Sequence, residues 1–238
     1  MHEFIWAFVD SAVEAFRLRG PVYRIAGGNG APAIGAGRSE CFPGTSHIDC
    51  ELAEWTDTDR LPFADGVAGT VLCAGSLEYV FRPQHAVEEM TRILAPGGAL
   101  LISAPSERGE SEQMPAYWRL TPRCMQQLLA PMKVTLVGWQ GADLFPHTLY
   151  GIGFKPPTPG TILPATSRFV DRFQWRLDEA AARVGWARRL AYFLTCWVRS
   201  PAERQRQRNY HKVQFAVHLS AGRDPKYSKQ DPCPRTRI

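Results

Sequence analysis

The residues of this sequence that are best placed for ligand chemistry form a glycine-rich turn and a downstream carboxylate. The segment Gly27-Gly28-Asn29-Gly30 directly follows residues 22–26, a short stretch that is typical of a β-strand. Glycines in such a turn let backbone amides approach a nucleotide-like ligand, because no Cβ stands in the way. Asp49 ends a second predicted strand, where a carboxylate either binds ribose hydroxyls or is solvated in a turn.

The spacing of these glycines argues against a nicotinamide cofactor. The turn lacks the G-x-G-x-x-G pattern, and the stretch between it and Thr45 is rich in Gly and Pro rather than helical. The turn alone is a weak sign of function, so the elements around it must decide whether it forms a site.

A βαβ unit lies downstream of this turn. Apolar strands are predicted at Thr70–Ala74 and Ala99–Ala104, and an amphipathic helix over Gln84–Leu94 joins them, ending at Pro96-Gly97-Gly98. Continuous apolar strands indicate a parallel sheet that is covered on both faces, and the crossover should be right-handed.

Further elements are predicted on both sides of this unit. Residues 3–18 have apolar side chains at helical spacing. Thr121 is the predicted N-cap of a helix that extends to Leu129, and Pro122 stands at its first position. Two strands are then predicted over Lys133–Trp139 and Thr148–Phe154.

Five ordered motifs carry a family resemblance. They are Asp57–Gly66, Val71–Val80, Glu89–Pro105, Tyr117–Pro122, and the Gly138-Trp139 strand with the Pro146-His147-Thr148 turn. Together they resemble the class I S-adenosylmethionine-dependent methyltransferases, and within them the type 11 subgroup, over about residues 3–155. The resemblance implies a Rossmann-like α/β fold, an open, mostly parallel sheet with an antiparallel last strand. Such a sheet would hold its cofactor at the carboxyl ends of the strands.

The resemblance also implies roles for individual residues, with S-adenosylmethionine as the cofactor. Glycines of the turn would approach the methionine part, Asp49 would bind the ribose, and Asp57 with Thr58 would contact the adenine edge. Ala74 and Gly75 would line the methyl-donor site. The cofactor-binding set is therefore Gly27, Gly28, Gly30, Asp49, Asp57, Thr58, Ala74 and Gly75.

The methyl acceptor is expected to react through an oxygen or nitrogen of a small-molecule, glycan-linked or lipid-linked compound. Tyr79 and His147 are the candidate general bases, although a packing phenol and a hairpin-turn histidine are the plain structural alternatives. Tyr117, Trp118 and Arg119 are expected to shape the acceptor cleft, or else to anchor the start of a helix.

Four positions depart from the family pattern and motivate a second hypothesis. They are Arg24, where an acid is usual in the first strand, Ala26 in place of the first glycine, Tyr79 in place of a histidine, and Ala116. On this hypothesis the chain is a catalytically impaired relative that acts as a binding or scaffold protein. One version of the hypothesis also places it on an anionic membrane surface.

Charge is concentrated in the C-terminal part of the chain. The 238 residues carry a net charge of +5, but residues 168–212 alone hold eleven Lys/Arg and four Asp/Glu, a net +7. We therefore expect a methyltransferase-like domain over 1–156, followed over 157–238 by a Pro-rich linker and a basic helical extension. That extension either caps the sheet or contacts anionic lipid through residues 168–208; nucleic acid is not expected, because no RNA-binding module signature is present.

The remaining composition favours a cytoplasmic enzyme, peripheral to the membrane if the basic segment docks there. None of the six cysteines forms a C-x-x-C pair, and no metal site is expected. The N-terminus lacks a basic n-region, and the longest apolar run, Leu190–Val198, is far shorter than the roughly 20 residues that span a bilayer.

Overall fold

The computed structural model describes residues 2–26, 47–51, 60–106, 116–142, 145–158, 160–182 and 212–219. These residues form four helices, α1 His2–Phe16, α2 Pro83–Ile93, α3 Pro122–Leu128 and α4 Ile162–Ala182, together with a 3-10 turn at Leu77–Tyr79. Seven strands complete the described part, β1 Val22–Ala26, β2 His47–Glu51, β3 Ala68–Ala74, β4 Leu94–Pro105, β5 Val134–Ala142, β6 Phe145–Phe154 and β7 Val213–Leu219.

All seven strands lie in one sheet, in the order β2-β1-β3-β4-β6-β5-β7. Strands β2, β1, β3 and β4 are parallel, and β6 pairs antiparallel with β4. Strand β5 pairs antiparallel with β6, so it again has the direction of the parallel strands, and β7 is antiparallel to β5. The predicted open, mostly parallel sheet with an antiparallel strand after the parallel ones is confirmed.

Each face of the sheet is covered by helices, which explains why its central strands are apolar without alternation. Helices α1 and α4 pack on one face, where Phe8 contacts Tyr150 and Phe173. Helices α2 and α3 pack on the other face, against residues such as Val71 and Ile102. Strand β3 is buried along nearly its whole length, as a parallel strand between two helical layers must be.

Local signals in the sequence placed these elements correctly. The Thr121 hydroxyl accepts a hydrogen bond from the Cys124 backbone N–H at 3.1 Å, so the predicted N-cap of α3 is confirmed.

Lys155 binds the C-terminal end of α2. Its ammonium donates to the carbonyls of Thr91 and Leu94 at 2.9 and 2.6 Å. Lysine at this position satisfies carbonyls that a helix end leaves open.

The described part of the C-terminal extension packs on the same core. Helix α4 lies against α1, where Arg172 and Arg176 both bind the Glu14 carboxylate. Strand β7 adds a seventh strand beside β5, with Phe215 in register with Gly138. A helix of the predicted extension is thus observed over Ile162–Ala182, but its three arginines are matched by three acids, Asp171, Asp178 and Glu179, so it is not basic. Residues 183–211, which hold the other arginines of the predicted basic segment, lie outside the described residues. The domain boundary at residue 156 stays a prediction.

Within the described ranges, no helix combines the length and the apolar character that crossing a membrane requires. Cys73 and Cys124 are free thiols. Burial raises the pKa of the Cys73 thiol far above its usual value, because the thiolate would be desolvated beside Glu78.

Candidate active site

The order of the strands defines a crevice at the carboxyl edge of the sheet, between β1 and β3. The chain leaves β1 to form β2 on one side and later returns to form β3 on the other side. In open α/β sheets, ligands bind where the strand order reverses in this way. Gly27, Gly28 and Gly30 directly follow β1 in the sequence, but they lie outside the described residues, as do Asp57 and Thr58.

The end of β3 forms the described wall of the crevice. Gly75 has a φ of +63°, and its N–H donates to the Ser103 carbonyl at 2.8 Å. A Cβ at this position would meet nothing closer than Glu78 Oε1 at 3.9 Å, so backbone conformation rather than space requires the glycine. Ser76 Oγ lies 3.2 Å from the Ala74 carbonyl and 3.5 Å from the Ile25 carbonyl, which ties the ends of β1 and β3 together.

Two segments meet beyond this wall and form an exposed aromatic surface. The Glu78 carbonyl accepts hydrogen bonds from the N–H groups of Tyr117 and Trp118 at 2.8 and 3.2 Å. The Trp118 indole donates to the Val80 carbonyl at 2.9 Å, and the Phe81 and Tyr117 rings meet edge to face at 5.5 Å. We call Phe81, Tyr117 and Trp118 the aromatic rim.

The aromatic rim is open to solvent although its backbone is held firmly. Phe81 is 62% exposed, Tyr117 60% and Trp118 43%. Arg119 follows directly and is also exposed. An apolar surface that is fixed by main-chain hydrogen bonds beside a ligand crevice is suited to bind the apolar part of a second ligand.

His147 comes to the same edge from β6, because β6 is antiparallel and begins where β4 ends. Its carbonyl accepts from the Ser106 N–H at 2.9 Å, and its Nδ1 lies 2.9 Å from the Thr148 hydroxyl. Ser106 Oγ also donates to the Leu120 carbonyl at 3.3 Å, which links this corner to the segment that carries the aromatic rim. His147 is half-buried, as is Tyr79 in the 3-10 turn.

The structure therefore brings one group of predicted site residues to the carboxyl edge of the sheet. That group is Ala74, Gly75, Tyr79, Tyr117, Trp118, Arg119 and His147. Asp49 lies in β2, with its backbone in register with Arg24 of β1, and its side chain is outside the description. Arg24, the departure from the family acid, is half-buried.

Sequence reasoning missed a charged network that supports the turn before β3. The Glu89 carboxylate accepts from the Leu61 N–H at 2.9 Å and binds Arg92 at 2.8 Å. Arg92 in turn donates to the carbonyls of Phe63 and Leu61 at 2.9 and 3.1 Å. Burial alone would raise the pKa of Glu89, but the hydrogen bonds from Arg92 and Leu61 and the Arg92 charge outweigh it and lower that pKa. The Glu-x-x-Arg spacing on α2 was the available signal.

Comparison with known families bears on the nature of this site. Residues 39–102, which contain β2, β3, α2 and most of β4, match the family model described as a methyltransferase domain. This segment of the chain is therefore similar to a methyltransferase domain. The match agrees with the expectation, drawn from the resemblance, of an S-adenosylmethionine-dependent methyltransferase.

The described residues of this site fit the cofactor that the family resemblance implies. The β1–β3 crevice lies at the strand-order reversal, and Ala74 and Gly75 border it with small side chains or none. Gly75 keeps the turn after β3 in a conformation that other residues rarely adopt.

Two solved structures that are similar to part of this chain are described as methyltransferases. A Thermotoga maritima enzyme matches with 14% identity and a TM-score of 0.43, over 65% of this chain and 90% of that one. The 1,6-didemethyltoxoflavin-N1-methyltransferase of Burkholderia thailandensis, bound to S-adenosylhomocysteine, matches with 18% identity and a TM-score of 0.42, over 65% and 81%. These similarities are too low to inform the acceptor. Among curated proteins, none matches this sequence.

Proposed function

We propose that this methyltransferase methylates an oxygen or nitrogen of a small-molecule, glycan-linked or lipid-linked acceptor whose apolar part lies on the aromatic rim. The observation that supports this proposal is the position of the rim. Phe81, Tyr117 and Trp118 lie beside the exit of β3, so an acceptor held on them would face the methyl-donor crevice.

The reaction needs alignment more than it needs chemistry from side chains. When bound, S-adenosylmethionine supplies a methyl carbon that is activated by its sulfonium. The acceptor lone pair forms the new bond to that carbon as the sulfur–carbon bond breaks, and the acceptor then loses its proton. Holding the partners in line is worth about 7–11 kcal/mol of barrier.

The chain's own residues would divide the remaining work. The cofactor would be held by the predicted cofactor-binding set, Gly27, Gly28, Gly30, Asp49, Asp57, Thr58, Ala74 and Gly75. His147 or Tyr79 would accept the acceptor proton; the Thr148 hydroxyl beside Nδ1 orients the His147 imidazole for that role. Arg119 would contact an anionic or polar part of the acceptor at the edge of the rim.

One observation favours a second candidate function, that of a catalytically impaired binding or scaffold protein. Arg24 stands in β1 at the position of the family acid, and its backbone is in register with Asp49, the proposed ribose ligand. A guanidinium there would oppose the positive charge of the cofactor, or would bind its carboxylate.

Calorimetry with S-adenosylhomocysteine separates the two functions. The proposed function predicts saturable binding by the full chain, weakened at least about tenfold by Asp49→Ala, because charge-assisted hydrogen bonds to the ribose are lost. Asp178→Ala, which removes an exposed carboxylate on α4, is the matched control and should leave binding unchanged.

The alternative predicts no heat with the wild-type chain and a gain of binding in Arg24→Glu. If wild-type binding is tight and Arg24→Glu does not improve it, the impaired-protein hypothesis is wrong. If neither chain binds while both are folded, the proposed function is wrong.

A further inference from the structure

A second cavity lies at the amino edge of the sheet, opposite the candidate active site. It has a volume of about 750 Å³ and lies where the chain enters β1, β3 and β4, beside Gly20, Gly69 and Gly98. The seven residues of β3 span roughly 20 Å, so the length of the sheet separates this cavity from the methyl-donor crevice. Its volume falls in the range of small-molecule sites.

Three arginines border this cavity: Arg17, Arg19 and Arg168. All three are exposed, and none forms a side-chain hydrogen bond or a salt bridge with another described residue. The neighbouring arginines of α4 behave differently, because Arg172 and Arg176 both form salt bridges with Glu14. Among the described residues that line the cavity, none is Asp or Glu. The cavity therefore concentrates positive charge that the chain leaves uncompensated.

Arg17 occupies its position at a conformational cost. Its φ is 51°, and the following Leu18 N–H donates back to the Val13 carbonyl at 3.3 Å, which is the arrangement that ends many helices. Glycine is the favoured residue at such a position, because a left-handed backbone strains residues that have a Cβ. An arginine held there beside a cavity suggests that its guanidinium, and not local stability, accounts for its presence.

The rest of the wall suits a ligand that is anionic at one end and apolar at the other. Phe16, Phe154 and Ile162 contribute aromatic and aliphatic surface. Helix α4 begins at Ile162, and its first turn contains no acidic side chain. The partial positive charge at the start of that helix adds to the field of the arginines.

We infer that this cavity binds a phosphate monoester, with the phosphate at Arg17, Arg19 and Arg168 and the organic part against Phe16 and Ile162. A planar guanidinium group can bind two phosphate oxygens at once. Among the described lining residues, no carboxylate competes with the phosphate for these arginines. The phosphate would come either from a free organic phosphate or from the headgroup of phosphatidic acid. The site is separate from the methyl-transfer site, and the inference does not depend on the proposed function.

The test uses the full chain, with phenyl phosphate in calorimetry and with phosphatidylcholine vesicles that contain or lack phosphatidic acid in co-sedimentation. Arg168→Gln and Arg17→Gly should each weaken phosphate binding at least about tenfold. Arg17→Gly should at the same time raise the melting temperature by about 2–4 °C, since it relieves the left-handed arginine. Arg123→Gln, at an exposed position on α3, is the control and should bind like the wild type.

Each outcome decides the inference. Saturable binding of phenyl phosphate that both variants weaken supports a free organic phosphate as the ligand. Binding that is seen only with phosphatidic acid vesicles, and that both variants weaken, supports the lipid headgroup. Binding of neither probe, or binding that Arg17→Gly and Arg168→Gln leave unchanged, overturns the inference. Because Arg168 is exposed on α4, Arg168→Gln is expected to fold. Its phosphate binding decides the question even if Arg17→Gly does not fold.

Discussion

The indole nitrogen of Trp118 donates a hydrogen bond to the Val80 carbonyl at 2.9 Å, across a sequence separation of 38 residues. This contact fixes one edge of an exposed ring, so the ring presents its remaining surface at a defined place beside the exit of β3. The aromatic rim is therefore built from two segments of chain. Their relative position is held by the Trp118 side chain and by the backbone N–H groups of Tyr117 and Trp118, which donate to the Glu78 carbonyl.

Trp118→Phe keeps an aromatic ring but removes this hydrogen bond. We expect KM for the acceptor to rise by roughly fivefold, because one neutral hydrogen bond is worth about 1 kcal/mol, while S-adenosylhomocysteine affinity stays constant. Steady-state kinetics with an identified acceptor give the first value and calorimetry gives the second. Trp175→Phe, at an exposed tryptophan on α4, is the control. A parallel loss of cofactor affinity would show that the rim supports the crevice and does not bind the acceptor.

Gly75→Ala tests the turn that follows β3. The added methyl has space, so the expected cost is the left-handed backbone alone, about 1–2 kcal/mol in the free energy of unfolding. Because relaxation would also disturb the Gly75–Ser103 hydrogen bond, S-adenosylhomocysteine should bind at least several-fold more weakly. Urea unfolding and calorimetry measure the two effects. Unchanged stability would mean that the left-handed conformation is not required in solution.

Glu89→Gln tests the charged network beneath the turn at residues 61–66. We expect a loss of about 2 kcal/mol in the free energy of unfolding at neutral pH, since the variant removes the buried carboxylate of the two that pair with Arg92 and leaves only the exposed Asp65. The lowered pKa of Glu89 means that its contribution is complete above the ordinary carboxyl pKa of roughly 4.3 and is lost as the pH falls through the lowered value.

The stability of the variant should therefore depend less on pH between about 5 and 2 than that of the wild type. Urea midpoints across this range measure the difference. Glu88→Gln removes the exposed neighbouring carboxylate and should keep the wild-type profile. A variant whose acid profile matches the wild type would contradict this account of Glu89.

Phe215 and Gly138 test the attachment of β7. A Cβ on Gly138 would collide with the Phe215 ring, which also packs on Phe169 of α4 with ring centroids 5.0 Å apart. Phe215→Ala should cost about 3–4 kcal/mol and Gly138→Val about 1–3 kcal/mol. In the double variant the valine occupies space that the ring has left, so the combined loss should be smaller than the sum by about 1 kcal/mol or more. Strictly additive losses would mean that the two residues do not share this space in solution.

Sequence alone predicted the parts of the fold that depend on residues close together in the chain. The βαβ unit follows from apolar runs, and the start of α3 follows from Thr121 and Pro122. The strand of this unit begins earlier than predicted, because Pro96-Gly97-Gly98 lies inside β4 and not before it. The placing of His147 and Tyr117 at one sheet edge followed from the family resemblance, because spacing in the chain does not reveal which strand ends lie together.

What sequence did not predict depends on contacts between distant segments. The pairing of β7 with β5 depends on how Phe215 fits Gly138, which is far away in the sequence. Phe81 was missed as part of the rim because its partner Tyr117 belongs to another segment. The packing of α1 on α4 likewise brings Arg17, Arg19 and Arg168 to the same cavity.

The placement of β7 and α4 bears on how the protein is made in the cell. The ribosome releases α1 first, but the helix that covers it and the strand that closes the sheet are synthesised last. Until residue 219 has left the exit tunnel, the nascent chain exposes the apolar side of α1 and an unpaired β5 edge, both of which favour association with other chains. A premature stop codon between residues 156 and 213 would therefore leave all five family motifs on a polypeptide that lacks the strand needed to complete this sheet.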